Sequence, residues 1–554
     1  MTSNKNFLSI IFSLFIFISI SACSSDVTDK ELFIINEDFG HFFYKRTQDE
    51  MDVPHLEAFV DQYAGGKVTH IFFNPNARKA NFRSETREAF WDPVPGYSEE
   101  EVNQQFQIRP EYKVHFENVK LLYEKGIDPY EVWIRRCREK NISPWLSMRM
   151  NDTHRVGSTD RVDLMRSEFW NSHPEFWRVP YERSRAGSCF DYAHQAVRDF
   201  QIAFIQELLE RYNTDGIELD WTRHIFNLQN GRFREDAHFI DGFVHDVRQL
   251  TKEWGVKRGH DIGLAVRIPS FPDDAEMLGL NADRWAKNGW VDMIIATPHY
   301  ETTDYDVRLD LWRERIGDVA TKVKLLAGCE LRTQAFPDAQ VGWYLWKPRH
   351  YQISSTNSST PGWDDYELQL LYGFVDNARF RGTDGIYMFN WFDGGHNMLT
   401  DNYRKLVAEG LGQEIIAVRE RRYPVTYHDN AWLIDLVISP PGFSFSAQLP
   451  KETDIEAVIQ ITMGSVPKNG SVFLILGFDD RIGVESTTFS ASLNGTALSQ
   501  HEEEKDLWRL VNPQRAVRFN CPLDALRAGE NEVILQPTAG NTQRLIWAEL
   551  RFVP

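Results

Sequence analysis

The chain has 554 residues, 42% hydrophobic and 13% aromatic, which is enough apolar material for a large core in more than one domain and too much for a disordered chain. Its 80 acidic against 61 basic side chains give a formal net charge of -19, which argues against nucleic acid as a partner. Cys137, Cys189, Cys329 and Cys521 are scattered without a C-x-x-C pair, so they supply no metal or redox motif and assign no disulfide.

Lys5 precedes an apolar run from Phe7 to Ile20, too short and too close to the N-terminus for a stable membrane span, so it reads as the core of a signal peptide. The run ends in Ile20-Ser21-Ala22-Cys23, which resembles a bacterial lipobox. That resemblance implies cleavage before Cys23, lipidation of its thiol and tethering to a bacterial membrane, the outer membrane, on its periplasmic or cell-surface side. An ordinary secretory peptide, in which Cys23 carries no lipid, is the other reading. The expected organisation is a signal peptide over 1–22, a tether over 23–30, a barrel over 31–422 and an all-β domain over 423–554.

Leu32 to Asn36 is a short apolar run fit for a first buried strand, and His70 to Pro75 supplies a second, ended by Pro75, with Asn74 at its C-terminal end. Helical patterns follow around 114–123 and 130–140. The third strand, Pro144 to Asp152, turns Ser147, Arg149 and Asn151 inward if Leu146 and Met148 face the helices. A long loop, 153–188, rich in Arg, His, Trp and Phe, then carries His173-Pro174-Glu175-Phe176-Trp177.

Between Asp191 and Arg211, Ala193, Val197, Phe200, Phe204 and Leu208 recur at spacings of three and four, which predicts a helix with one buried stripe. It feeds Asp215-Gly216-Ile217-Glu218-Leu219-Asp220, where apolar Ile217 and Leu219 alternate with acidic Glu218 and Asp220 in the period of a strand. Both carboxylates point the same way. In a closed barrel they face the interior, with Asp220 at the mouth and Glu218 one layer deeper. A second reading makes both of them buried partners of barrel arginines.

From the His-Pro-Glu loop through the D-G-I-x-L-D strand, the chain resembles the glycoside-hydrolase-like barrel lipoproteins of bacterial polysaccharide degradation. The resemblance covers roughly a tenth of the chain and implies a barrel more firmly than it implies a reaction. Leu219 precedes Asp220 where one large glycosidase clan has asparagine.

Further strands are expected at 262–267, 292–300, 323–330 and 385–392, with helices over 237–254 and 366–379 and a Ser/Thr/Asn/Gly loop over 354–362. Eight strands separated by helices predict an α/β fold, a (β/α)8 TIM barrel with large loop insertions. After Tyr423 the helices stop, and strands at 432–437, 455–463, 471–477, 516–519, 533–535 and 545–552 predict a C-terminal β-sandwich. The stretch from Leu523 to Val533 is similar to the loop and strand of jelly-roll modules attached to carbohydrate enzymes. No internal repeat is expected.

Asp220 and Glu330, ending strands four and seven, are the candidate pair of glycosidase carboxylates, one to protonate the leaving oxygen and the other to attack or activate water. Arg149, Arg223, Arg267 and Arg332, with His154 and His299 nearby, point to an anionic substrate, a uronic acid or sulfated sugar, although some of these arginines must partner Glu218 and Asp220. Asn74, Asn151, Tyr300 and Trp391 complete the expected substrate-binding set, the aromatic rings by stacking on sugar faces. Two alternatives stay open. In one, His299, Tyr300 or His154 removes a proton beside an arginine-neutralised uronate, giving a lyase or dehydratase and an unsaturated product. In the other the barrel mouth binds glycan without catalysis. No metal, nucleotide or flavin is expected as a cofactor.

Overall fold

The structure, a computed structural model, describes residues 31–44, 46–153, 162–180, 187–298, 305–330, 365–389, 401–425, 449, 451–453, 456–479, 483–504 and 514–554. The signal and tether segments, the 354–362 loop and the expected strand at 432–437 lie outside them.

Eight parallel strands close into a barrel in chain order: β1 (Leu32–Glu37), β2 (His70–Phe73), β3 (Ser143–Arg149), β4 (Gly216–Asp220), β5 (Gly263–Pro269), β6 (Met293–Thr297), β7 (Lys324–Glu330) and β8 (Gly385–Phe389), with β8 returning to pair with β1. The expected (β/α)8 barrel is therefore the fold. Alternate residues explain why. Outward Ile217, Leu219, Leu264 and Val266 join the main core under the helices, while inward Ile34, Phe72, Trp145, Ile295, Leu326 and Tyr387 form a separate cluster inside.

The helix after the long loop runs Gln195–Arg211, not from Asp191. Asp191 Oδ1 accepts from Ala193 N at 2.9 Å, and this local turn delays the helix. Helices Val53–Asp61 and Glu99–Ile108 are additional to the expected set. Their signals were present, in Asp52 with Pro54 and in the Ser98/Glu101 capping box.

The C-terminal strands are β9 (Arg421–Pro424), β10 (Lys451–Glu452), β11 (Ala457–Met463), β12 (Ser471–Phe478), β13 (Thr488–Leu493), β14 (Thr496–Glu503), β15 (Arg515–Cys521), β16 (Gly529–Ala539) and β17 (Arg544–Val553). They pair antiparallel in the order β10-β17-β12-β15-β14-β13-β16-β11, with β9 on β17, around a second core. This is the all-β domain expected from the sequence. The β13–β14 hairpin was not foreseen, although Asn494 and Gly495, at φ of 50° and 85°, are the residues a tight hairpin turn asks for.

Leu32–Pro554 forms one compact unit. Helix Asp365–Phe380 of the barrel packs on β9, where Tyr423 Oη donates to Asp376 Oδ2 at 2.6 Å and Ser465 N donates to the same oxygen at 2.9 Å. Gly373 permits the approach, since a Cβ there would lie 1.8 Å from the Arg422 carbonyl oxygen.

Candidate active site

The barrel interior is built in layers. At its base the indole of Trp145 stacks on Phe72, with ring centroids 4.9 Å apart, and lies over Gly216 and Gly263. A Cβ at Gly216 would meet Trp145 at 2.3 Å and one at Gly263 at 2.5 Å, so the glycine of the D-G-I-x-L-D strand makes room for that indole. Asp215, just before it, works at the opposite end from the mouth, bound by Arg138 and by Ser143 Oγ at 2.7 Å.

Above this base lies Glu218, fully buried. Tyr387 Oη, from the opposite side of the barrel, donates to Glu218 Oε2 at 2.9 Å, and Asn36 Nδ2 donates to Tyr387 Oη at 2.7 Å. Burial first, and then the charge of Asp220, push the Glu218 carboxyl up to about 8, against the opposing pull of Arg267 and of the Ser147 and Tyr387 hydroxyls. Burial and the neighbouring Glu218 also hold the Tyr387 phenol well above its usual value.

The next layer is a row of charges across three neighbouring strands, because Arg149, Asp220 and Arg267 are register partners. Arg267 Nε donates to Asp220 Oδ1 at 3.0 Å, and Thr222 N, Thr222 Oγ1 and Arg223 N each donate to the same oxygen at 3.1 Å. Asp220 Oδ2 receives only the longer contact from Arg267 Nη2, at 3.4 Å, among the described residues. One oxygen is thus the anchor and the other carries a single long contact, on a side chain that is fully buried. The Arg267 guanidinium also lies 3.7 Å from the centre of the Phe389 ring, with that of Arg223 at 5.4 Å.

Arg149 is held by Asp38 and by Asp152 Oδ2, the latter at 3.0 Å. Burial pulls its guanidinium down, but these two charges outweigh it and keep it above its usual value. Asn74 Nδ2 donates to the Ser147 carbonyl at 2.6 Å. Asn151 is committed at both ends of its amide: Nδ2 donates to the carbonyls of Phe190 and Phe226, and Oδ1 accepts from Phe190 N at 2.8 Å. It therefore ties two loops together. Glu37, on the outer side of β1, is bonded by His41 and Tyr63 beside a small cavity that Asp38 and Asn74 help line.

The expected site residues thus divide into groups. Glu218, Asp220, Arg149, Arg223, Arg267 and Asn74 gather at the inside and mouth of the barrel. Glu330 ends β7, opposite Phe389 in register, and its side chain lies outside the description. His154, His299, Tyr300, Arg332 and Trp391 lie outside the described residues, as does Cys23. The sequence reading missed Asn36, Asp38, Asp152 and Tyr387, although the inward alternation of β1 and β8 marks Asn36 and Tyr387. Among the described residues no group of three or more His, Cys, Asp or Glu side chains is arranged to hold a metal ion.

No family model matches the chain, and neither does any curated protein. Among solved structures it is similar to a cycloisomaltooligosaccharide glucanotransferase from Paenibacillus sp., at 10% identity over 94% of this chain and 57% of that one, with a TM-score of 0.33. A GH36 alpha-galactosidase from Geobacillus stearothermophilus is 11% identical over 94% of this chain and 56% of that one, with a TM-score of 0.34. The alpha-L-fucosidase isoenzyme 2 from Paenibacillus thiaminolyticus is 12% identical over 70% of this chain and 50% of that one, at 0.37. The chain spans little more than half the length of the first of these and about half of the last. The barrel assignment rests on the closed strand order and its register.

Proposed function

We propose that the chain is a carbohydrate-active enzyme that hydrolyses glycosidic bonds in anionic oligosaccharides, uronic-acid-containing or sulfated, with Asp220 and Glu330 as its two carboxylates. The observation that carries this reading is the state of Asp220. It ends an interior strand, its charge is matched by the buried Arg267, one oxygen is saturated by four donors and the other is nearly free. A carboxylate so held suits the nucleophile or the water-activating base, which must be an anion, better than the acid, which must carry a proton. The acid role then falls to Glu330, two strands further round the barrel from β5. Arg149 and Arg267 are engaged by acids of the protein, and the arginine-rich mouth taken as a whole, Arg223 and Arg332 included, supports an anionic substrate. The lipobox-like segment supports a protein tethered through Cys23 to a bacterial membrane, where it would meet oligosaccharides released outside the cytoplasm.

The test is incubation with uronic-acid and sulfated oligosaccharides beside neutral ones, followed by mass analysis. Fragments whose summed mass exceeds the substrate by one water support hydrolysis. An intact oligosaccharide lighter by one water, with the ultraviolet absorbance of a conjugated uronate, means elimination and overturns it.

A further inference from the structure

We infer that Glu218 is a neutral, proton-bearing positioning residue that, with Tyr387 and Asn36, forms a floor beneath Asp220 and leaves the negative charge of strand four on Asp220, which Arg267 binds. The inference deepens the proposed function by dividing the two strand-four acids between different tasks, and it stands on geometry that needs no substrate.

The first argument is an inventory of hydrogen bonds. Four buried polar atoms, on β1, just past the end of β2, on β3 and on β4, make no hydrogen bond of good geometry: Asn36 Oδ1, Asn74 Oδ1, Ser147 Oγ and Glu218 Oε1. They are neighbours in a chain, since Asn74 Nδ2 reaches the Ser147 carbonyl, Ser147 is the register partner of Glu218, and Asn36 Nδ2 lies 3.4 Å from Glu218 Oε2. The Ser147 hydroxyl is near enough to pull the Glu218 carboxyl down as a weak hydrogen-bond donor, although outside normal hydrogen-bond geometry. With Glu218 ionised, this group holds three acceptors and a single hydroxyl donor. A proton on Oε1 makes it two donors and two acceptors, a balanced set.

The second argument is charge. Glu218 is faced by Asp220 from its own strand, by Arg267 from β5 and by Tyr387 from β8; Asn36 on β1 and Ser147 on β3 are neutral, and Phe72, Ile295 and Leu326 are the inward neighbours on β2, β6 and β7. Arg267 acts on both acids, but its close bond, from Nε at 3.0 Å, is to Asp220, while Glu218 accepts from Tyr387. A second unpaired anion at full burial is the costlier arrangement. The upward displacement of the Glu218 carboxyl to about 8 agrees with both arguments.

The sign for stability follows. The folded carboxyl titrates near 8 and the unfolded one near 4.5, so Glu218's contribution is fully present below about 4.5 and is lost as pH rises towards 8. In E218Q this dependence is gone. Denaturant unfolding of the whole protein should show the folded-to-unfolded ratio of the wild type falling, relative to E218Q, by up to about tenfold per pH unit between pH 4.5 and 8. Curves that stay parallel across that window would overturn the inference. A second measurement stands if E218Q does not fold: infrared spectra of the wild type labelled with carbon-13 glutamate should hold a protonated-carboxyl band at pH 7 that shifts in Y387F. A spectrum lacking that band at pH 7, or a band that Y387F leaves in place, also overturns it. Neither measurement involves turnover, so failure here leaves hydrolysis by Asp220 and Glu330 untouched.

Discussion

Glu218 and Tyr387 each directly follow a copy of one tetrapeptide, and they touch across the barrel, the tyrosine hydroxyl donating to Glu218 Oε2 at 2.9 Å. The copies are Thr214-Asp215-Gly216-Ile217 and Thr383-Asp384-Gly385-Ile386, which open β4 and β8, four strands apart in a ring of eight. Each threonine hydroxyl donates to a carbonyl two residues on, Thr214 to Gly216 at 2.9 Å and Thr383 to Gly385 at 2.6 Å. Each aspartate clips the neighbouring strand, Asp215 through Ser143 Oγ and Asp384 through Leu325 N. The sequence thus contains a short internal repeat where none was expected, and its two variable next residues meet at the centre of the barrel.

Asp220→Asn keeps the shape of the anchored side chain and removes its charge. Turnover should fall by about 10³-fold or more while substrate affinity changes much less, a split that steady-state kinetics and equilibrium binding on the same variant measure. Near-normal turnover would remove Asp220 from the chemistry, and equal loss of both would make it a binding group.

Arg267→Met leaves Asp220 as a buried charge without its partner. We expect a loss of about 3–5 kcal/mol in unfolding free energy, by denaturant titration. Adding Asp220→Asn to Arg267→Met should recover part of that loss, because the orphaned charge is gone. Additive losses would show that the pair does not act as a unit.

Glu218→Gln should retain measurable turnover, unlike Asp220→Asn. In the wild type, turnover should decline as pH passes about 8, where a second anion appears beneath Asp220, and in Glu218→Gln that limb of the pH profile should flatten. An inactive but well-folded Glu218→Gln would instead place Glu218 among the groups that touch the reacting atoms.

Gly216→Ala sets a methyl group 2.3 Å from the Trp145 indole. Overpacking of this kind costs about 1–3 kcal/mol, and Trp145→Leu in the same chain should relieve it. The melting temperatures of the two single variants and the double variant decide the point.

Much of this was legible in the sequence, for physical reasons. The alternation of Ile217 and Leu219 with Glu218 and Asp220 follows from a strand whose two faces meet different layers, so it gave both the strand and its inward acids. Tyr387 was harder to see, because an inward tyrosine in an aromatic strand carries no mark of the carboxylate it will meet from 169 residues away. The pairing of Arg149 with Asp38 was hidden for the same reason, since sequence shows which residues point inward but not which of them meet. The end of β3 at Arg149 and the late start at Gln195 reflect local turns that periodicity does not register.

Cys23→Ala should abolish incorporation of labelled palmitate and release the protein from the membrane fraction on cell breakage. Unchanged fractionation and labelling would return the N-terminal segment to an ordinary secretory peptide.

The most direct measurement follows the fate of a defined uronic-acid oligosaccharide in heavy-oxygen water, with wild type and Asp220→Asn side by side. The account predicts heavy oxygen in one new sugar end for the wild type and an unaltered substrate for the variant. A dehydrated product, or cleavage that proceeds equally in Asp220→Asn, would contradict it.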